Sequence, residues 1–397
     1  MIQPASANGG DVALAHDYLI PMGGAERVVA TLHRFWPNAP IYTSAVNRDG
    51  LLPDLREADI RTTWMQRLPG IRGDFRRYFA LYPLAFYGMP PVRSKVLVVS
   101  ASTFAKCIRP APECTSICYC HAPTRFLWEN SEYLLREIGS VAVRWAIRAY
   151  LPILRRIDYL GAQRMDVMVA NSKFVQAKIL KAYDQDALVI HPPVEVDRFA
   201  VAERHDGFYL IASRLVGYKG IDHAIAGCER LGRQLIVIGD GPDRARLQKL
   251  AGEHVRFLGK VSDAVLRDHL QRCRAFIFPG VEDFGIAPVE AQACGKPVVA
   301  LGKGGALETV VPGETGVWFD EQTPESLMAA LRQVETIRWS PARIRRNAEN
   351  FSSERFEEKM RDLVALAMDD GEVRTPAAPR RRGRGARGGR ETVDSRR

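Results

Sequence analysis

Two carboxylates eight positions apart, Glu282 and Glu290, bracket the start of what reads as a helix. The stretch runs from an apolar strand pattern, Ala275 to Phe278, through a loop with Glu282 and Asp283 into a helical pattern over 285–294. Gly295-Lys296-Pro297 stops it and Val298 to Leu301 resumes as a buried strand. A helix start offers unpaired N–H groups, here those of Phe284, Gly285 and Ile286, and a partial positive charge that suits a phosphate. Carboxylates only accept hydrogen bonds, which suits sugar hydroxyls. Phosphate-binding donors beside hydroxyl-binding acceptors describe a nucleotide-sugar site. The same spacing also fits an ordinary strand–loop–helix with solvated acids.

A nucleoside diphosphate leaving group needs strong positive charge. Arg214 and Lys219, five apart after another predicted strand, offer a guanidinium that grips two oxygens and an ammonium that acts as a point charge; taken alone they read more readily as ordinary surface cations. Metal is not expected. Asp184-x-Asp186 has the D-x-D form but falls in a helix–strand turn, where aspartates are common. Cys118-x-Cys120-His121 lacks a second ligand pair for zinc. No cofactor is expected either. His121 ends the apolar run Thr115 to Cys120, where ligands enter open α/β sheets; taken alone it reads more readily as structural. Gly23-Gly24, between a first strand ending at His16-Asp17-Tyr18 and a helix over 25–35, has the layout of a phosphate-facing turn. The plainer alternative is a tight turn that merely starts a helix.

Glu282-x7-Glu290 within PGVEDFGIAPVEAQACGKPVVA resembles the E-x7-E signature of retaining glycosyltransferase family 4, whose members have the GT-B fold. The resemblance runs from about 11 to about 368, and favours the bacterial mannosyltransferases that build O-antigens and exopolysaccharides. It implies that Glu290 holds the donor ribose, Glu282 the donor sugar, and Arg214 and Lys219 (in SRLVGYKG) the diphosphate. His121 would contact the transferred sugar, and Gly23 and Gly24 would lie at the cleft near donor phosphates and acceptor. The reaction so implied is retaining, by front-face attack. A double displacement through two carboxylates is set aside on that precedent. Asp17 is a candidate helper for the acceptor. Pro193-Val194 stands where many members have a glycine.

Positioning such residues takes two domains, and 397 residues with 46% hydrophobic and 26% charged composition provide for them. Strands and helices alternate in both halves, which implies α/β, GT-B architecture: two Rossmann-like, doubly wound domains facing across a cleft. The boundaries read 1–10 (polar lead-in), 11–199 (acceptor side), 200–368 (nucleotide-sugar side, its final helix crossing back) and 369–397 (disordered Arg/Gly-rich tail). A long helical stretch over 137–163 is expected to be interrupted at Pro152. Much of the formal charge of +10, from 56 basic and 46 acidic residues, lies in 374–397, which holds nine arginines against Glu391 and Asp394. Seven scattered cysteines, no signal peptide and no spanning apolar stretch point to the cytoplasm.

Phe75, Phe79, Tyr82 and Phe86 fall at helical spacing beside Arg72, Arg76 and Arg77. They suggest an interfacial surface on an anionic membrane, at its inner face, that guides a lipid-linked glycan acceptor; the plain alternative is core aromatics with a solvated basic rim. The expected activity is transfer of a hexose, mannose from GDP-mannose, in cell-surface polysaccharide synthesis. Alternatives are a UDP-sugar transferase, a nucleotide-sugar epimerase and a nucleic-acid-binding protein acting through the tail. No specific nucleic acid is expected.

Overall fold

The protein is represented by a computed structural model that describes residues 10–129 and 141–369. The expected lead-in and tail therefore lie outside the described residues, apart from Gly10 and Asp369.

Buried apolar runs form two parallel sheets. The first holds β1 (Val12–His16), β2 (Ile41–Thr43), β3 (Ile60–Thr62), β4 (Val96–Ala101), β5 (Thr115–Cys120), β6 (Val167–Ala170) and β7 (Leu188–Val189), in the order β3-β2-β1-β4-β5-β6-β7. The second holds β8 (Tyr209–Ala212), β9 (Leu235–Ile238), β10 (Val255–Gly259), β11 (Ala275–Phe278), β12 (Val298–Leu301) and β13 (Gly316–Phe319), in the order β10-β9-β8-β11-β12-β13. Central strands are buried at every position, as β1, β4 and β5 are, because helices cover both faces. Each order reverses once, between β1 and β4 and between β8 and β11. In an open α/β sheet that reversal leaves a crevice beyond the strands' carboxyl ends.

The chain crosses between the domains twice, side by side. Val194 N–H donates to Phe351 O at 3.0 Å, and Ser353 N–H donates to Val194 O at 3.1 Å. The helix Ser353–Asp369 then packs Phe356, Met360, Leu363 and Val364 into the first domain's core with Val12 and Leu14 of β1.

Two expectations about helices are corrected. Val141–Gln163 is one helix with Pro152 inside it rather than an interrupted one, and the part expected over 137–140 lies outside the described residues. Proline there removes one backbone donor, while the amphipathic face continues on both sides: Leu151 and Leu154 are both buried. The aromatic segment forms two short pieces, a 3-10 helix Phe75–Leu81 and an α-helix Tyr82–Tyr87 with Pro83 in its first turn. Phe75, Tyr82 and Phe86 are buried and Phe79 packs against the same core, so the expected apolar stripe faces inward. Arg72, Arg76 and Arg77 stay exposed, with Arg76 over the Phe75 ring at 4.6 Å and Arg77 over Tyr78 at 5.2 Å.

Candidate active site

On the second domain, the crevice beyond β8 and β11 is built by close backbone approach. A Cβ on Gly239 would overlap Ser213 O, and one on Gly241 would overlap Leu215 O, so this turn packs directly beneath the loop that carries Arg214. A Cβ on Gly280 would lie 2.9 Å from Lys219 Cα, which brings the strand-end loop of β11 onto Lys219. The result is contact between Lys219 and Glu282, both largely buried. Burial first, and repulsion by Arg125 second, push the Lys219 ammonium down to about 8, and Arg214 adds to the repulsion. Three cations thus gather where the sequence pointed to two.

Glu282 is followed by Phe284, buried against His191 and Phe351, and by Gly285 at φ +91°, where a Cβ would sit 2.9 Å from the Phe278 ring. Gly285 starts the helix Ile286–Ala293, with Glu290 one turn in. Burial raises the Glu290 carboxyl above its usual range. Its charged neighbours include Arg27 of the first domain, Arg198, Glu195 and Asp263.

On the first domain, Gly23 N-caps the helix Gly24–Phe35, and Glu26 folds back so that its carboxylate accepts from Gly23 N–H at 2.9 Å. That amide is therefore engaged within the protein. A Cβ on Gly24 would lie 3.4 Å from Ile286 Cδ1, so the glycine turn faces the start of the second-domain helix. Glu26 also stands 3.6 Å from His16 Nε2. The His16 Nδ1–H donates to Ser100 O at 2.9 Å, and Ser100 Oγ bonds His121 Nε2 at 2.8 Å. Burial would lower His16, but the Glu26 hydrogen bond and charge, with Asp17, outweigh it and raise it. Burial, and then the nearby His16, push His121 down to about 3, so it is a neutral imidazole near pH 7.

Asp17 is not available to an acceptor. Its carboxylate takes three backbone donors, Ser102 at 2.6 Å, Thr103 at 2.9 Å and Ala105 at 2.8 Å, and is 1% exposed. It organises the loop after β4. Cys118 and Cys120 are fully buried, and the described residues hold no cluster of histidine, cysteine or carboxylate groups fit for a metal ion. Asp184 is the left-handed C-cap of the helix Lys173–Tyr183.

The structure thus brings Arg214, Lys219, Glu282, Gly285 and Ile286 together, with Gly24 across the cleft, while Arg72, Arg76 and Arg77 are exposed on the aromatic segment of the first domain. Sequence reasoning missed Arg125, whose guanidinium contacts the Asp283 carboxylate from the first domain. It missed His16 and Ser100 behind His121 as well. The polar pair His16-Asp17 closing an apolar strand was the available signal for the latter; nothing local marks the former.

Residues 194–351 match the family model described as glycosyl transferases group 1. The second domain belongs to this family. Among curated relatives, the chain is similar to a GDP-mannose-dependent alpha-(1-6)-phosphatidylinositol monomannoside mannosyltransferase of Mycolicibacterium smegmatis, 31% identical over 48% of this chain. That alignment spans 57% of the relative, so the chain matches little more than half of its length. An alpha-1,3/1,6-mannosyltransferase of Candida glabrata aligns over 84% of both chains at 22% identity. Among solved structures, Anabaena HepE in complex with UDP superposes over 89% of this chain and 99% of its own, with TM-score 0.65 at 17% identity. A lipopolysaccharide outer core galactosyltransferase, WaaB, covers 89% and 98% with TM-score 0.62 and 17% identity. The group 1 domain and its partner domain together form the GT-B fold, as the resemblance to glycosyltransferase family 4 implied.

Proposed function

We propose that the protein is a retaining glycosyltransferase that moves a hexose, mannose from GDP-mannose, onto a lipid-linked glycan. The observation that carries this reading is the meeting of Arg214, Lys219, Glu282 and a helix start on one cleft wall, with Gly24 facing them. In it, Arg214 and Lys219 neutralise the diphosphate, aided by the N–H groups of Gly285 and Ile286. Glu290 binds the ribose diol and Glu282 the hydroxyls of the transferred sugar. His121, neutral, offers a hydrogen bond to that sugar and carries no charge to repel the cations. Leaving-group oxygens take the acceptor proton, so no divalent metal is required. The mannose assignment is supported by what the mycobacterial and yeast relatives are named for. A UDP-sugar is the second reading, because the Anabaena neighbour was solved with UDP.

The test is a panel of GDP- and UDP-sugars against the purified chain by calorimetry and thermal unfolding, with transfer assayed in EDTA. A true donor at a hundred times its Kd raises stability by about 2.7 kcal/mol. Transfer abolished by EDTA and restored by Mg²⁺ overturns the metal-free step. The described residues contain no helix long and apolar enough to cross a membrane. For peripheral contact with an anionic inner-face membrane, the proposal rests on Arg72, Arg76 and Arg77, with exposed Trp64 and Leu84 on the same segment supplying the apolar part. Flotation with anionic liposomes, with the residues after 369 removed, must drop in the Arg72/Arg76/Arg77→Ser variant.

A further inference from the structure

Between the two expected donor-side residues Glu282 and Phe284 sits Asp283, and its carboxylate reaches across to the first domain. It is 8% exposed and lies between two cations of the first domain, contacting Arg125 and accepting from Lys178 Nζ at 2.7 Å. Lys178 is shared with Glu129 at 2.8 Å. The Asp283 main chain is held too, since Ser172 Oγ donates to Asp283 O at 2.6 Å. The neighbouring Asn171 donates from Nδ2 to His121 O at 3.0 Å. Two adjacent side chains of the first domain therefore fix both the His121 main chain and the loop bearing Glu282.

A second carboxylate repeats the arrangement. Glu308 follows the Gly304-Gly305 turn, which lies so close that a Cβ on Gly305 would overlap the Phe284 backbone, while Gly305 N–H donates to Glu282 O at 2.9 Å. Loop and turn are thus one packed unit. Glu308 Oε2 accepts from Lys173 N–H at 3.0 Å and Oε1 from Phe174 N–H at 3.2 Å; Oε2 also meets His191 Nε2 at 3.0 Å. One domain caps the helix Lys173–Tyr183 of the other, where a carboxylate meets unpaired donors and the positive end of the helix.

We propose that Asp283 and Glu308 are positioning residues, a paired carboxylate clasp by which the first domain holds the Glu282–Ile286 loop at a set distance from His121. The proposal rests on the glycosyltransferase reading for its effect on turnover, but not for its effect on shape. The clasp contacts Arg125 but neither Arg214, Lys219 nor Glu290, so losing it leaves those expected diphosphate and ribose contacts in place and misaligns the reacting sugar.

The experiment uses the full chain and Asp283→Asn, Glu308→Gln, the double variant and Asp283→Glu. GDP and UDP serve as calorimetric probes, steady-state rates give kcat and KM, and small-angle scattering gives the radius of gyration. Expected are wild-type diphosphate affinity, kcat lower by roughly ten- to a hundredfold, a larger radius of gyration in the double variant, and recovery of kcat in Asp283→Glu. Lys178→Met, made from the opposite domain, must shift kcat the same way, which separates the clasp from misfolding of one loop. Wild-type kcat in the double variant overturns the proposal. So does loss of diphosphate affinity in Asp283→Asn, which would make Asp283 a donor ligand. If the wild type transfers no sugar from any donor, the functional reading fails alone; an unchanged radius of gyration in the double variant then still overturns the clasp.

Discussion

On the first-domain wall of the cleft, His16, Ser100 and His121 are joined by hydrogen bonds with Glu26 3.6 Å from His16 Nε2, and Asp17 accepts three amides beside them. On the second-domain wall, a largely buried ammonium is pushed down to about 8 by burial and by two guanidiniums, and the half-buried Glu290 carboxyl is pushed up. The first wall gains stability from its polar groups. The second holds groups at a cost to the empty fold, the expected condition of a surface built to receive a charged ligand. Each wall therefore answers differently to the same kind of substitution.

The largest contrast is in donor affinity. Lys219→Ala and Glu290→Ala each lose a charge-assisted interaction with the donor, about 1.5–3 kcal/mol, read by calorimetry with the donor that the panel identifies. Glu282→Ala mainly lowers kcat. Lys219→Ala leaves the unfolding temperature near pH 7 unchanged or higher. The folded ammonium titrates at about 8, below its unfolded value, so the unfolded state holds more protons and the folded state is disfavoured below that range. Wild-type affinity in Lys219→Ala and Glu290→Ala would remove the distinction between the walls.

Ser100→Ala acts on the other wall and in the other currency. It removes the bond to His121 Nε2 from a buried site, at about 1–3 kcal/mol of stability by thermal unfolding, with diphosphate affinity unchanged. A loss of affinity without a loss of stability would show that the network serves the donor directly.

The smallest effect is a pH profile. Lys219 loses its proton above about pH 8 in the empty protein, and a bound diphosphate favours the charged form. Donor affinity therefore declines as pH rises through that value, and binding takes up a proton there, which calorimetry in buffers of different ionisation enthalpy detects. The decline disappears in Lys219→Met.

Much of this arrangement is legible in the sequence, for particular reasons. The strands read as strands because a sheet covered on both faces needs unbroken apolar runs, as in Val298–Leu301. Arg214, Lys219, Glu282 and Glu290 stand out as candidates because each lies just after a strand or within the first turns of a helix. Arg125 and Asp283 escaped because 158 positions separate them and only the apposition of two domains makes them neighbours. The aromatic segment misled because helical spacing does not say which face is buried: in Phe75–Tyr87 the arginines project outward while Phe75, Tyr82 and Phe86 fill the core.

The helix Ser353–Asp369 is last in the described chain, yet it completes the first domain's core. During synthesis at about 5–20 residues per second, a domain whose strands emerge early ordinarily folds at once. Here the early sheet waits with an open apolar face until the whole group 1 domain has been made and Phe356, Met360 and Leu363 leave the ribosome. Chaperone contact with the nascent chain is therefore expected to persist over that interval and to end only after residue 369 has emerged.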